Sequence, residues 1–268
     1  MTILPAQNFV VPSPENNLVT IIVTHYNYSE HVEGALRSVI QQTHQNFECV
    51  VVDDCSLDHH VAKLRQIVQE LADPRIRVLE MKENRGQTFG VFAALAESSG
   101  EFVALLDPDD RYDPTFIDKM LRCHLNPCIY AAVAACEMGL FRQNGQCVTR
   151  TYVGFKQAAM EQGVLPKVEA RYMDFGFSAY YPSTKTGWLW GTTSSLMFRR
   201  DALMLLRQVS FMPDLKICAD TYCVTGCHIL GGTLFVDETL SWRGPDAGVP
   251  CRHALVDRPR GARAARNG

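Results

Sequence analysis

The feature that most constrains the fold is an alternation of two hydrophobic patterns along the first hundred or so residues. Short runs of β-branched and apolar residues, typical of strands buried on both faces, lie at 19–24, 47–52, 75–79 and 101–106. Segments with apolar residues at helical spacing separate them, at 32–40, 61–71 and 88–98. Strands that alternate with helices in this way predict βαβ crossovers, and hence an α/β fold with a parallel sheet covered on both faces.

The pattern is less regular after residue 130. Residues 137–187 combine aromatic residues and glycine with poor periodicity, which predicts irregular or antiparallel structure. A strand is expected at 194–199, a helix at 201–208 and a last strand at 233–236. We therefore expect a flexible arm at 1–17, a single domain at 18–243 and a basic, disordered tail at 244–268.

Composition excludes several classes of protein. The 268 residues are 47% hydrophobic and 21% charged, as in ordinary globular domains. The net charge of −3 provides no basic field that would attract nucleic acid. Purely apolar runs such as 131–135 are far shorter than the ~18 residues of a membrane-spanning helix. The ten cysteines lack the paired spacing of a zinc ribbon, which favours reduced thiols in a cytosolic protein.

Acidic and polar side chains follow the ends of three predicted strands. They are Tyr26 and Asn27 after the first, Asp53 and Asp54 after the second, and Asp107, Asp109 and Asp110 after the fourth. Ligands of open parallel sheets bind at this carboxyl edge. Clustered carboxylates repel one another unless a cation lies among them, and Mg²⁺ commonly takes one or two carboxylates together with substrate phosphates. Each acidic group alone is explained better by a turn or a helix cap. Together they favour a site for a metal–nucleotide complex.

Five segments, in this order and spacing, resemble family 2 glycosyltransferases. They are VTIIVTHYN at 19–27, ALRSVIQQT at 35–43, FECVVVDDCS at 47–56, NRG at 84–86 and LLDPDD at 105–110. The resemblance is close over 18–125 and thinner over 190–243. It implies a GT-A fold, a Rossmann-like three-layer architecture with a mainly parallel central sheet. In that fold 18–125 would be the nucleotide-sugar-binding half and 126–243 the acceptor half.

The resemblance also implies a donor site that holds a nucleotide-sugar, with UDP-sugar as the commonest donor, and a divalent metal, Mg²⁺ or Mn²⁺. Thr24 and Tyr26 would lie beside the nucleotide, Asp53 or Asp54 would contact the base, and Arg85 would lie near the base or the diphosphate. Asp109 would contact the metal and phosphate, with Asp107 and Asp110 directed toward the ribose or the metal.

The expected general base is Asp220, which matches the family's second conserved acidic position. In an inverting transfer it would accept the proton of an acceptor hydroxyl on a saccharide or a lipid-linked acceptor. Asp214 is a competing candidate, and Asp220 as a plain helix cap is the alternative. Three departures from the family pattern bear on activity. Ala219 replaces the usual Glu, the Arg often found some residues after it is missing, and only His253 lies near the place of the family's His on the loop over the diphosphate.

Two other functions remain open. Ala219 and the altered tail leave room for a catalytically impaired nucleotide-sugar-binding protein. A sugar-nucleotide pyrophosphorylase is a weaker alternative, because it needs a Gly-rich basic loop where this chain has residues 24–27. A dehydrogenase is excluded, because the GxGxxG motif is absent there. We expect a cytoplasmic protein, at the inner face of the membrane if its basic tail contacts anionic lipid, and its oligomeric state is open.

An aromatic group in the second half has two interpretations. Its members are Tyr180, Tyr181, Trp188 and Trp190. Aromatic faces pack on sugars, so the group is a candidate acceptor surface, and core packing is an equal alternative.

Overall fold

The computed structural model describes residues 14–126, 129–141, 147–149, 178–184, 190–208 and 219–244. The strands are β1 (Val19–His25), β2 (Phe47–Asp53), β3 (Ile76–Glu80), β4 (Phe102–Leu106), β5 (Arg111–Tyr112), β6 (Val133–Phe141), β7 (Cys147–Thr149), β8 (Ser178–Tyr181), β9 (Leu196–Arg199) and β10 (Thr233–Arg243). The helices are α1 (Val32–Ile40), α2 (Asp58–Leu71), α3 (Gln87–Ala96), α4 (Phe116–His124), α5 (Arg200–Leu206) and α6 (Ala219–Gly231). Short 3₁₀ turns lie at Pro14–Asn16 and Thr193–Ser195.

The ten described strands form one mixed sheet. Eight follow the order β3-β2-β1-β4-β9-β6-β10-β5, while β7 pairs with β6 and β8 pairs with β10. Strands β3, β2, β1 and β4 are parallel, as their helical crossovers require. β9 runs antiparallel between β4 and β6, and β10 is parallel to β6. The register places His25 opposite Asp53 at the carboxyl ends of β1 and β2. The first four strands therefore deliver the segments that follow them to one edge of the sheet.

Helices cover both faces of this sheet, which gives three layers. On one face α1, α2 and α4 pack on the strands, with Leu36, Leu64 and Phe116 fully or almost fully buried. On the other face α3, α5 and α6 surround Phe198 and Phe235. Burial of each such side chain contributes about 1.5–3 kcal/mol, which is why the sequence keeps both faces of the central strands apolar. Among the described helices, none is both long and apolar enough to cross a membrane.

The elements predicted before residue 107 are confirmed, with ends shifted by at most three residues. The expected strand at 194–199 begins instead as a 3₁₀ turn, and the last strand runs to Arg243 rather than to Val236. The extension was missed because register shifts at Thr239 interrupt its alternation. Residues 1–13, the tail beyond Gly244, Trp188, Asp214 and His253 lie outside the described residues.

Candidate functional site

The carboxylate of Asp53 is buried and anchors the ends of β1 and β2. Its Oδ1 accepts a hydrogen bond from His25 Nδ1 at 2.7 Å, and its Oδ2 accepts one from the Ser56 amide at 3.0 Å. Burial alone would raise the pKa of Asp53, but the hydrogen bonds from His25 and Ser56 outweigh it and lower the pKa. Asp53 therefore stays ionised and holds the turn that follows β2.

Asp54 fixes the loop that carries Arg85. Its two carboxylate oxygens accept hydrogen bonds from the backbone amides of Arg85, at 2.8 Å, and Gly86, at 2.7 Å. Gly86 has a φ of 87°, which disfavours any residue with a side chain, and directly precedes α3. The Arg85 guanidinium lies 3.4 Å from the centre of the Phe89 ring. Asp54 thus positions both a partly exposed cation and the start of α3 at the edge of the sheet.

The Asp-Pro-Asp-Asp loop after β4 is held by two residues from the second half of the chain. The Ser194 hydroxyl donates to Asp110 Oδ2 at 2.6 Å and accepts from the Asp107 amide at 3.0 Å. The Gly244 amide donates to Asp110 Oδ1 at 3.2 Å. Both oxygens of the buried Asp110 therefore accept hydrogen bonds from the protein. The sequence analysis missed Ser194 and Gly244, because neither belongs to a local motif that indicates a partner so far along the chain.

Burial and mutual repulsion make it unfavourable for the carboxyl groups at this edge to be ionised together. Burial, followed by the charges of Asp109 and Asp220, raises the pKa of Asp107 to about 7. Burial, then the charges of Asp107 and Asp109, raises the pKa of Asp110 well above its usual range. Burial also raises the pKa of Asp220, at the start of α6. The effect of Asp220 on Asp107 shows that the predicted base lies within electrostatic reach of the acidic loop.

A side chain that the sequence analysis missed, Gln87, connects three of these elements. Its Nε2 donates to Asp107 Oδ1 at 2.9 Å and to Thr24 Oγ1 at 3.2 Å. Its Oε1 accepts from the Ala219 amide at 3.4 Å. The available signal was a polar residue directly after Gly86, at the start of an otherwise largely apolar helix. Gln87 thus joins the ends of β1 and β4 to the beginning of α6.

The remaining predicted residues fall into two environments. Tyr26, which directly follows β1, is 51% exposed. Trp190 is buried, with its indole nitrogen donating to Thr233 Oγ1 at 2.9 Å and its ring edge-on to His228. The core interpretation is therefore the correct one for Trp190. Tyr180 is only partly buried and donates a long hydrogen bond to the Gly231 carbonyl.

The acidic loop fits a divalent metal that is shared with a ligand. Asp109 is partly exposed, and its carboxylate has no hydrogen-bond partner among the described residues. Burial is the main cause of the raised pKa of Asp107, and a cation beside Asp109 would relieve the charge repulsion that raises this pKa further. Within the described parts of the chain, no group of three His, Cys, Asp or Glu residues forms a complete metal site. A free carboxylate beside buried ones matches Mg²⁺ or Mn²⁺ that takes its other ligands from phosphate oxygens and water.

Known structures share this architecture. A mannosyltransferase from Pyrobaculum calidifontis, in complex with GDP-Man and Mn²⁺, superposes with a TM-score of 0.63 at 19% identity and covers 90% of this chain and 61% of that one. TarS from S. aureus, in complex with UDP, gives a TM-score of 0.57 at 20% identity and covers 84% of this chain and 60% of that one. At these identities the likeness establishes the fold, which is the predicted GT-A fold.

Curated relatives are similar over parts of their length. A glycosyltransferase of Nostoc sp. is 27% identical over 224 residues, which are 84% of this chain and 63% of that protein. The Escherichia coli UDP-Glc:alpha-D-GlcNAc-diphosphoundecaprenol beta-1,3-glucosyltransferase WfgD is 36% identical over 96 residues, 36% of each chain. Matches to the first three curated relatives span 40%, 63% and 32% of those proteins.

The family itself is identified from a match over most of the chain. The sequence model described as glycosyl transferase family 2 matches residues 20–203, which include β1 to β4, the acidic loop and Ser194. The resemblance expected from the five short segments is thereby confirmed. The chain belongs to glycosyl transferase family 2.

Proposed function

We propose that the protein is an inverting, metal-dependent glycosyltransferase. It moves a sugar from a nucleotide-sugar, with UDP-sugar the first choice, to a hydroxyl group of a saccharide or lipid-linked acceptor. One observation carries the proposal: the end of β1 at Thr24, the loop that contains Arg85 and the acidic loop after β4 meet at one edge of the sheet. The charge of Asp220 acts on Asp107 in that acidic loop. The family match and the nucleotides bound in the similar structures support it.

The donor is assigned to the edge of the sheet formed by the carboxyl ends of β1, β2 and β4. Thr24 and Tyr26 border the nucleotide, and Arg85 is directed toward the base or the diphosphate. Asp53 and Asp54 are both kept as candidates for contact with the base, because each carboxylate is held within the protein, Asp53 by His25 and Ser56 and Asp54 by the backbone amides of Arg85 and Gly86. A bound Mg²⁺ or Mn²⁺ would act as a Lewis acid that neutralises charge on the departing diphosphate.

The metal is assigned to Asp109, with Asp107 beside it toward the ribose or the metal. Asp110 was predicted as a second ligand, and its two hydrogen bonds to Ser194 and Gly244 favour a supporting role in which it shapes the loop.

Asp220 is assigned as the general base. It accepts the proton of the acceptor hydroxyl as that oxygen attacks the anomeric carbon, and the nucleoside diphosphate leaves from the opposite face. A raised pKa strengthens a carboxylate as a proton acceptor, provided that the pH keeps it ionised. We place this chemistry in the cytoplasm, at the inner face of the membrane for a lipid-linked acceptor.

Calorimetric titration of UDP, GDP and dTDP, each with and without Mn²⁺, tests the donor site. We expect metal-dependent binding of one nucleotide that is lost in Asp109→Ala, a variant that breaks no described hydrogen bond. If no nucleotide binds to the folded protein, the donor-site proposal is refuted.

A second candidate function is nucleotide-sugar binding without turnover, which Ala219 favours because this fully buried position lacks the family's usual carboxylate. Slow hydrolysis of the matching nucleotide-sugar by the wild type, abolished by Asp220→Asn, would support the transferase. Tight binding with no turnover in either protein would support the binding protein.

A further inference from the structure

Gln87 makes three hydrogen bonds that no other type of side chain reproduces, Asn being too short. A primary amide provides two donor hydrogens and an acceptor oxygen, and here the donors serve Asp107 and Thr24 while the oxygen serves the Ala219 amide. Carboxylate, thioether and hydroxyl side chains lack this combination. The residue stands at the first position of α3, where Gly86 and Asp54 fix the backbone.

The three partners belong to three different parts of the proposed site. Thr24 lies near the carboxyl end of β1, Asp107 opens the acidic loop, and Ala219 directly precedes Asp220. A displacement of the acidic loop would therefore be transmitted to the start of α6 by a single side chain. Beyond this link, α3 also contacts α6 through the edge-to-face pair of Phe92 and Tyr222, which sets the distance between the helices but provides no polar contact to the loop.

We propose that Gln87 is a positioning residue that couples occupancy of the donor site to the placement of the helix start that carries Asp220. The inference rests on the proposed function of the same site. Order that donor and metal impose on the loop at Asp107 would extend through the Gln87 amide to the start of α6, which carries Asp220. Small displacements of a catalytic group lower rates by large factors, which makes such a link useful.

The test uses UDP with Mn²⁺ as the probe and hydrogen–deuterium exchange as the readout. In the wild type we expect UDP·Mn²⁺ to slow exchange at 107–110 and at 219–224. Gln87→Met keeps the length of the side chain but loses all three hydrogen bonds. It should weaken UDP·Mn²⁺ binding about three- to tenfold. It should also abolish the ligand-dependent protection at 219–224 while leaving that at 107–110.

Two further variants sharpen the result. Gln87→Glu retains an acceptor for the Ala219 amide but places a carboxylate against Asp107, so it should weaken UDP·Mn²⁺ binding more than Gln87→Met does. Gln66→Met is the matched control, because Gln66 is an exposed helical glutamine whose side chain, within the described parts of the chain, bonds only to Glu70. It should behave as the wild type. A purely structural role would change exchange equally with and without ligand, which would overturn the inference.

The outcomes separate this inference from the proposed function. The nucleotide that binds in calorimetry replaces UDP as the probe if it is GDP or dTDP. If Asp109→Ala binds that nucleotide with Mn²⁺ as the wild type does, or if the wild type binds none of the three, the donor site is wrong and the inference falls with it. If Asp109→Ala loses binding and Gln87→Met still shows protection at 219–224, only the role of Gln87 is refuted.

Discussion

The acidic loop should make the ligand-free protein less stable as the pH rises. The folded-state pKa of Asp107 is about 7, against an ordinary value of 3.8. A group with a raised pKa contributes fully below its unfolded value, and that contribution is lost as the pH rises through the folded value. Asp107→Asn removes the charge and keeps an oxygen that accepts from Gln87. We therefore expect this variant to be more stable than the wild type, by a margin that grows with pH.

The magnitude follows from the pKa difference. A difference of about three corresponds to at most ~4 kcal/mol at pH values above 7, and to roughly half of that at pH 5.5. Asp107 keeps some contact with solvent, so screening reduces the contrast. We expect the stability advantage of Asp107→Asn to increase by about 1 kcal/mol between pH 5.5 and pH 8.5.

Urea denaturation at both pH values, without nucleotide or metal, measures this increase. Asp58→Asn is the control, because Asp58 is exposed at the start of α2 and its variant should show a small difference that does not change with pH. An advantage of Asp107→Asn that is the same at both pH values, or that shrinks with pH, would refute the electrostatic account. Addition of UDP and Mn²⁺ should stabilise the wild type more than the variant.

Three further predictions concern the frame of the site. The pKa of Asp53 is lowered, so its carboxylate stabilises the fold only while it is ionised, and the wild type should lose stability as the pH falls below about 4. Denaturation curves of Asp53→Asn should show a smaller loss over the same pH range; an equal loss in both proteins would contradict this. Ser194→Ala removes partners from Asp107 and Asp110 and should cost about 1–3 kcal/mol in chemical unfolding; a cost below 0.5 kcal/mol, on the order of a surface change, would show that water replaces the hydroxyl. Gly100→Ala would place a Cβ 2.4 Å from the Thr20 amide and should cost about 3 kcal/mol or more, with a matching drop in Tm; a neutral effect would mean that the backbone there moves freely.

The donor half of the fold was predictable because its signals are local. Each strand before residue 107 is a short apolar run bounded by polar residues, and each helix shows its own period. The positions of Asp53 and Asp107 at the sheet edge follow from the rule for parallel strands, so the sequence predicts which carboxylates lie there.

Which of those carboxylates accept hydrogen bonds from the protein was not predictable. It depends on donors that lie far along the chain, such as Ser194 for Asp110, and on turns such as Gly86 that set where an amide points. Phe89 shows the same limit. It belongs to the apolar pattern at 88–98 that predicts a helix, yet its side chain is only partly buried and packs under Arg85. Periodicity reports which face of a helix is apolar and carries no information on which side chains lie near one another in the fold.

The hydrogen bonds from Ser194 and Gly244 to Asp110 limit how this chain can be cut into fragments. The acidic loop, to which the donor metal is assigned, is held by the Ser194 hydroxyl and the Gly244 amide. These groups lie about 84 and 134 residues after Asp110 in the chain. A fragment ending after α4 would retain every donor-site motif but would lack the two groups that orient the acidic loop. We therefore expect that exchange of the second half of this chain for that of a relative would also alter the acidic loop, unless the graft carries its own equivalents of Ser194 and Gly244. Strands from both halves lie in one sheet, although the recognisable motifs lie in the first half.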